Sequence, residues 1–122
     1  MAVRLAAVRR LALALPETLE RPHHDMTSFR VAGKIFATAP PKGDRLHCFV
    51  DPEEVPAYCA EFPGVVEELR WGAKRRGCRV DLGQATAPLV RELLLEAWRY
   101  KAPGKVVASL ERAAPGAPVP EL

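Results

Sequence analysis

The chain has 122 residues, 48% hydrophobic and 27% charged, with 18 Lys and Arg against 15 Asp and Glu for a formal net charge of +3. These are the proportions of one ordinary globular domain, able to bury roughly two-thirds of its unfolded surface without staples, and they exclude disordered, fibrous and multi-domain classes. Three cysteines without close spacing (Cys48, Cys59 and Cys78) argue against a disulfide framework and for a reducing, cytoplasmic setting.

Leu5, Val8, Ala12 and Leu15 recur near helical spacing while Arg4, Arg9 and Arg10 lie largely off that stripe. The pattern predicts an amphipathic helix over 2–14, basic on its outer face and ended by Pro16. The apolar run after Arg9-Arg10 is too short for an export signal or a membrane span. Leu15-Pro16-Glu17-Thr18 approaches a cell-wall sorting motif, but Leu19 stands where glycine is needed. Neither leader nor membrane anchor is expected. Residues 17–27, with Pro22, His23 and His24, show little periodicity and read as a loop.

Ser28 to Val31 and Lys34 to Ala39 are strand-like, joined through Ala32-Gly33, where glycine can take the positive φ of a tight hairpin. Pro40 to Asp44 forms a second turn, and Arg45 to Val50 a third strand, giving an antiparallel meander. Asp51 is suited to cap a helix over 52–62, with Pro52 at its first position and Glu53 and Glu54 favourable to its dipole. Pro63-Gly64 ends it. Glu68 to Trp71 and Cys78 to Leu82 then flank Gly72 to Gly77, which predicts a second hairpin with a basic, glycine-bounded tip. Val90, Leu93, Leu94, Ala97 and Trp98 mark the clearest helix, over 88–101. A short helix over 105–112 and a flexible tail over 113–122 complete a single domain, 1–112.

Charge is segregated along this order. Asp51 to Glu68 carries six acids and no base, whereas Leu69 to Val80 carries Arg70, Lys74, Arg75, Arg76 and Arg79 and no acid. A glycine-bounded loop with Lys74, Arg75 and Arg76 at its tip, Arg70 and Arg79 on its stems and Trp71 at its base can lay cations along a phosphate backbone. Such a loop also serves solubility alone. His23-His24-Asp25 and His47-Cys48 lack the spacing of a metal centre, because adjacent side chains of an extended segment point to opposite sides. No nucleotide-binding glycine loop, hydrolase elbow or paired-carboxylate arrangement occurs. The expectation is a non-enzymatic protein without metal or cofactor.

Several strings resemble the MmcQ/YjbR family of small proteins. They are Leu13-Ala-Leu-Pro-Glu, Ser28-Phe-Arg-Val-Ala-Gly-Lys-Ile-Phe-Ala, Asp51-Pro52-Glu53, Pro63-Gly64-Val65, Trp71-Gly72, Arg76-Gly77-Cys78-Arg79-Val80-Asp81-Leu82 and Leu93-Leu94 to Ala97-Trp98. The resemblance spans about Leu5 to Leu110. It implies an α+β fold, a single antiparallel sheet with helices packed on one face in a CyaY-like (frataxin-like) α-β-α arrangement. It also implies similarity to DNA-binding proteins of a double-wing type, whose hairpin loops act as wings. The wing positions would then be Gly33-Lys34 or Lys42-Gly43, together with Lys74-Arg75-Arg76. Relatives often carry tryptophan where this chain has Cys78, which removes one stacking surface there.

The functional expectation is therefore a cytoplasmic, monomeric DNA-binding protein with weak sequence preference, contacting phosphates through Lys34, Lys42, Arg70, Lys74, Arg75, Arg76 and Arg79. The alternative is a protein or small-ligand interaction module using the open sheet face. Iron binding, which the frataxin likeness raises, calls for an acidic first helix, and here that helix carries Arg4, Arg9 and Arg10.

Overall fold

Apolar residues recurring every three or four positions build the helices, and residues sharing one side of each strand build the sheet they cover. The computed structural model describes residues 2–113. Helix α1 (Leu5–Leu13) precedes strands β1 (Thr18–His23), β2 (Met26–Val31), β3 (Lys34–Ala39) and β4 (Arg45–Cys48). A 3-10 turn (Pro52–Glu54) runs into α2 (Val55–Glu61), followed by β5 (Val66–Trp71), β6 (Lys74–Asp81), α3 (Ala87–Lys101) and α4 (Gly104–Ala113). The six strands form one antiparallel sheet in the order β1-β2-β3-β4-β6-β5. The expected α+β class holds.

One face of the sheet carries the core. Val8, Leu11 and Ala12 of α1, Val55 of α2 and Val90, Leu93, Leu94, Ala97 and Trp98 of α3 pack with Phe29, Val31, Leu46, Cys48, Cys78 and Val80. Trp98 is fully buried, and its indole Nε1–H donates to the Pro16 carbonyl at 3.0 Å. That bond satisfies the buried donor and ties α3 to the turn ending α1. Two starts carry side-chain caps, that of α3 and that of the 3-10 turn: Thr86 Oγ1 accepts from the Leu89 N–H at 3.4 Å, and Asp51 Oδ1 from the Glu53 N–H at 3.0 Å.

The structure differs from the sequence reading at three places. Residues 17–27, expected as a loop, contain β1, which pairs with β2 from Thr18↔Val31 to His23↔Met26. As an edge strand it buries little and tolerates Pro22, so it lacks the apolar alternation that marks a half-buried strand. The basic tip expected over 72–77 shrinks to Gly72-Ala73, because β6 begins at Lys74. The third strand stops at Cys48 rather than at Val50. The tail expected over 113–122 lies outside the described residues, apart from Ala113, which closes α4. Among the described residues no helix is long and apolar enough to cross a membrane, and no three His, Cys, Asp or Glu side chains group to hold a metal ion.

Candidate nucleic-acid interface

Register places two hairpins side by side. Cys48, the last residue of β4, pairs with Ala37 on one side and Cys78 on the other. The segments Lys34–Phe36 and Lys74–Gly77 therefore run past the end of β4, and the β2–β3 and β5–β6 tips project from the same end of the sheet. The β2–β3 tip has Ala32 at φ 50° and Gly33 at φ 80°, the two positive values that a tight I′ turn needs. Phe49 closes the gap between the hairpins, its N–H donating to the Phe36 carbonyl at 2.9 Å. Gly77 makes this close spacing possible, since a Cβ there would lie 2.3 Å from the Cys48 carbonyl oxygen.

A groove of about 580 Å³ opens from this gap along the sheet face opposite the helices. Thr38↔His47 and Arg30↔Ile35 are cross-strand pairs on that face, and all four line the groove with Phe49 and Trp71. Arg30, Lys34, Arg76 and Lys101 supply its charge, and no carboxylate lines it. None of these four cations forms an ion pair among the described residues. Arg30 Nε donates to Ser28 Oγ at 3.1 Å, and the Arg76 guanidinium carbon lies 4.6 Å from the Trp71 ring centroid. Burial first, then the charges of Arg76 and Lys34, hold the Lys101 ammonium below its ordinary value. Repulsion among like charges left without counter-ions is relieved when an anion enters. His47 is likewise held below its ordinary value by burial and by Arg79, with Nδ1 3.3 Å from Thr38 Oγ1.

The residues expected from the sequence fall into distinct environments. Lys34 and Arg76 line the groove. Lys74 is exposed beside the second tip, paired in register with Trp71. Arg70 and Arg75 lie across the ladder from each other, and both are bound to the Glu68 carboxylate, whose pKa they depress; Arg75 also reaches the Pro52 carbonyl at 3.4 Å. Arg79 pairs with Glu67 at 3.3 Å. Lys42 is exposed in the β3–β4 turn, at the opposite end of the sheet from both hairpin tips. Lys74, Arg75 and Arg76 thus do not share one tip: successive strand residues point to opposite faces, and a bulge at Leu69/Arg70 gives Arg76 no direct cross-strand partner. Arg30 and Lys101 were not expected. Arg30 could be found only by assigning its face across the bulge at Phe29/Arg30, and Lys101 is brought in by the last turn of α3.

A small α+β protein with paired hairpins around a cationic groove is the class that fold and site define. The YjbR family model matches residues 13–100, and the chain belongs to this MmcQ/YjbR family. A crystal structure of the Deinococcus radiodurans protein DR2400, with a DUF419 domain, is similar at a TM-score of 0.67 and 25% identity, covering 78% of this chain and 75% of that one. No curated protein matches.

Proposed function

We propose that the chain is a non-enzymatic, cytoplasmic DNA-binding protein that holds phosphates in the groove between its two hairpins. One observation carries the reading: Arg30, Lys34, Arg76 and Lys101 line a single groove with neither a carboxylate among its walls nor an ion-pair partner among the described residues. Elsewhere on the same sheet arginines are ion-paired: Arg70 and Arg75 share Glu68, and Arg79 pairs with Glu67. Cations left unpaired at close range are suited to a polyanion, whose binding releases condensed counter-ions. Both hairpins come from one chain, so a monomer supplies the whole site. Phosphate contact through side chains, without base-edge readout, gives weak sequence preference.

The test is a titration of labelled DNA across a salt series. Replacing Lys34, Arg76 and Lys101 together by glutamine should flatten the slope of log affinity against log salt by about two to three units, at roughly 0.9 per phosphate contact on duplex and 0.7 on single strands. Lys42→Gln, at the far end of the sheet, should leave the slope unchanged. A triple variant with an intact fold and the parent slope would remove the reading and reassign the open face to a protein or small-ligand partner.

A further inference from the structure

Trp71 is 56% exposed, yet its ring is held in place. Phe49 meets it edge-on, with centroids 5.7 Å apart and planes at 66°, and the Arg76 guanidinium lies over it at 4.6 Å. Leaving an indole in water forgoes apolar burial, and fixing it costs rotamer freedom, so this arrangement suits a flat partner better than solvent. Lys34 and Lys101 line the same groove as the ring. An aromatic surface with cations alongside matches a nucleotide unit, which joins a π-face to a phosphate. The groove volume of about 580 Å³ is of the size that encloses one such unit.

Resting on the DNA reading above, we propose that the groove holds an unpaired nucleobase against Trp71 while Lys34, Arg76 and Lys101 hold its flanking phosphates, so that DNA is engaged as a single strand. In a duplex the base faces are covered by their stacked neighbours, and only edges and phosphates are presented. A single strand offers each base's π-face without regard to sequence. Trp71 is therefore the residue that separates the two forms of DNA.

The experiment compares an oligothymidylate of about 12 nucleotides, its duplex with the complementary strand, and thymidine monophosphate at one salt concentration. The single strand should bind at least about tenfold more tightly than the duplex. Trp71→Ala should lose about 5- to 150-fold of single-strand affinity, the range for removing one base-stacking aromatic, with little change for duplex. Trp71→Phe should keep most of the affinity. Strand binding should quench tryptophan emission in the parent and leave it unquenched in Trp71→Phe, whose remaining tryptophan, Trp98, is fully buried. Equal affinity for strand and duplex, unaltered by Trp71→Ala, overturns this inference and leaves the phosphate groove standing. Failure of the parent protein to bind either form at that salt concentration takes down the two readings together. Monophosphate binding as tight as the oligonucleotide overturns the strand assignment in favour of free nucleotides.

Discussion

Gly77→Ala tests whether close approach between β4 and β6 sets the spacing of the two hairpins. The added Cβ would sit 2.3 Å from the Cys48 carbonyl oxygen and 3.0 Å from the Phe49 Cα, and both neighbours are backbone. No rotamer change relieves such a clash, so the strands must separate by several tenths of an ångström within a hydrogen-bonded ladder. Overpacking typically costs about 1–3 kcal/mol, and a clash of backbone with backbone that no rotamer relieves belongs at the upper end, about 3 kcal/mol. In a domain of this size that corresponds to a melting temperature lowered by roughly 10 °C. Gly33→Ala is the control, because nothing lies within 4 Å of its Cβ and only its φ of 80° penalises a side chain. Left-handed strain alone costs about 1–2 kcal/mol. Urea denaturation of both variants, with denaturant slopes compared to confirm two-state behaviour, measures the difference. Moving β6 also displaces Arg76 from the groove, so DNA affinity should fall in Gly77→Ala even where the protein remains folded. A Gly77→Ala variant within about half a kcal/mol of the parent, the range of an ordinary surface change, would refute the argument that this approach is tight.

Two further outcomes follow from burial. Cys48 and Cys78 are fully buried, with burial pushing the Cys78 thiol up to about 12 and the Cys48 thiol well above its usual value, so in the native protein a thiol reagent at mildly alkaline pH should leave both unmodified. Cys59 alone should react, slowly because its pKa is also raised, all three should react in denaturant, and two native thiols reacting fast would contradict the packing. Burial and Arg79 lower the His47 pKa below 6.5, so the folded state resists a proton that the unfolded chain accepts. Its contribution to stability is complete above pH 6.5 and is lost as pH falls through the folded value, and His47→Gln should flatten that limb of a stability-versus-pH curve.

How much could be read in advance depended on whether a residue's task was local. Helix α3 was legible because Val90, Leu93, Leu94, Ala97 and Trp98 repeat at helical spacing and bury together. Asp51 and Pro52 marked the start of the 3-10 turn by capping chemistry that needs only neighbours. Strand β1 was not legible: an edge strand answers to its partner's hydrogen bonds, and its half-buried positions, Thr18, Glu20 and His23, are polar while its Leu19 is exposed. Gly77 misled because glycine has two uses. Beside Gly72 it resembled the far boundary of a loop, whereas it lies inside β6 to admit the backbone of Cys48 and Phe49.

The charge pattern misled in the same direction. Segregation of acids over 51–68 from bases over 70–79 suggested a free basic loop, but a hairpin folds such a boundary back on itself. Glu67 pairs with Arg79 across β5 and β6, and Glu68 holds both Arg70 and Arg75, so three of the five bases in the run are tied into ion pairs by the acidic segment that precedes them. The charge that remains available is assembled from residues far apart in the chain: Arg30 and Lys34 from the first hairpin, Arg76 from the second and Lys101 from the end of α3. Linear charge density therefore overstated the stems and pointed to Arg76 alone among the four groove cations; Lys34 came from the family resemblance, and Arg30 and Lys101 from neither. Removing a stem arginine should be felt mainly by the hairpin it braces. Removing a groove cation should be felt mainly by the anion bound there, because it gives up no ion pair within the described fold.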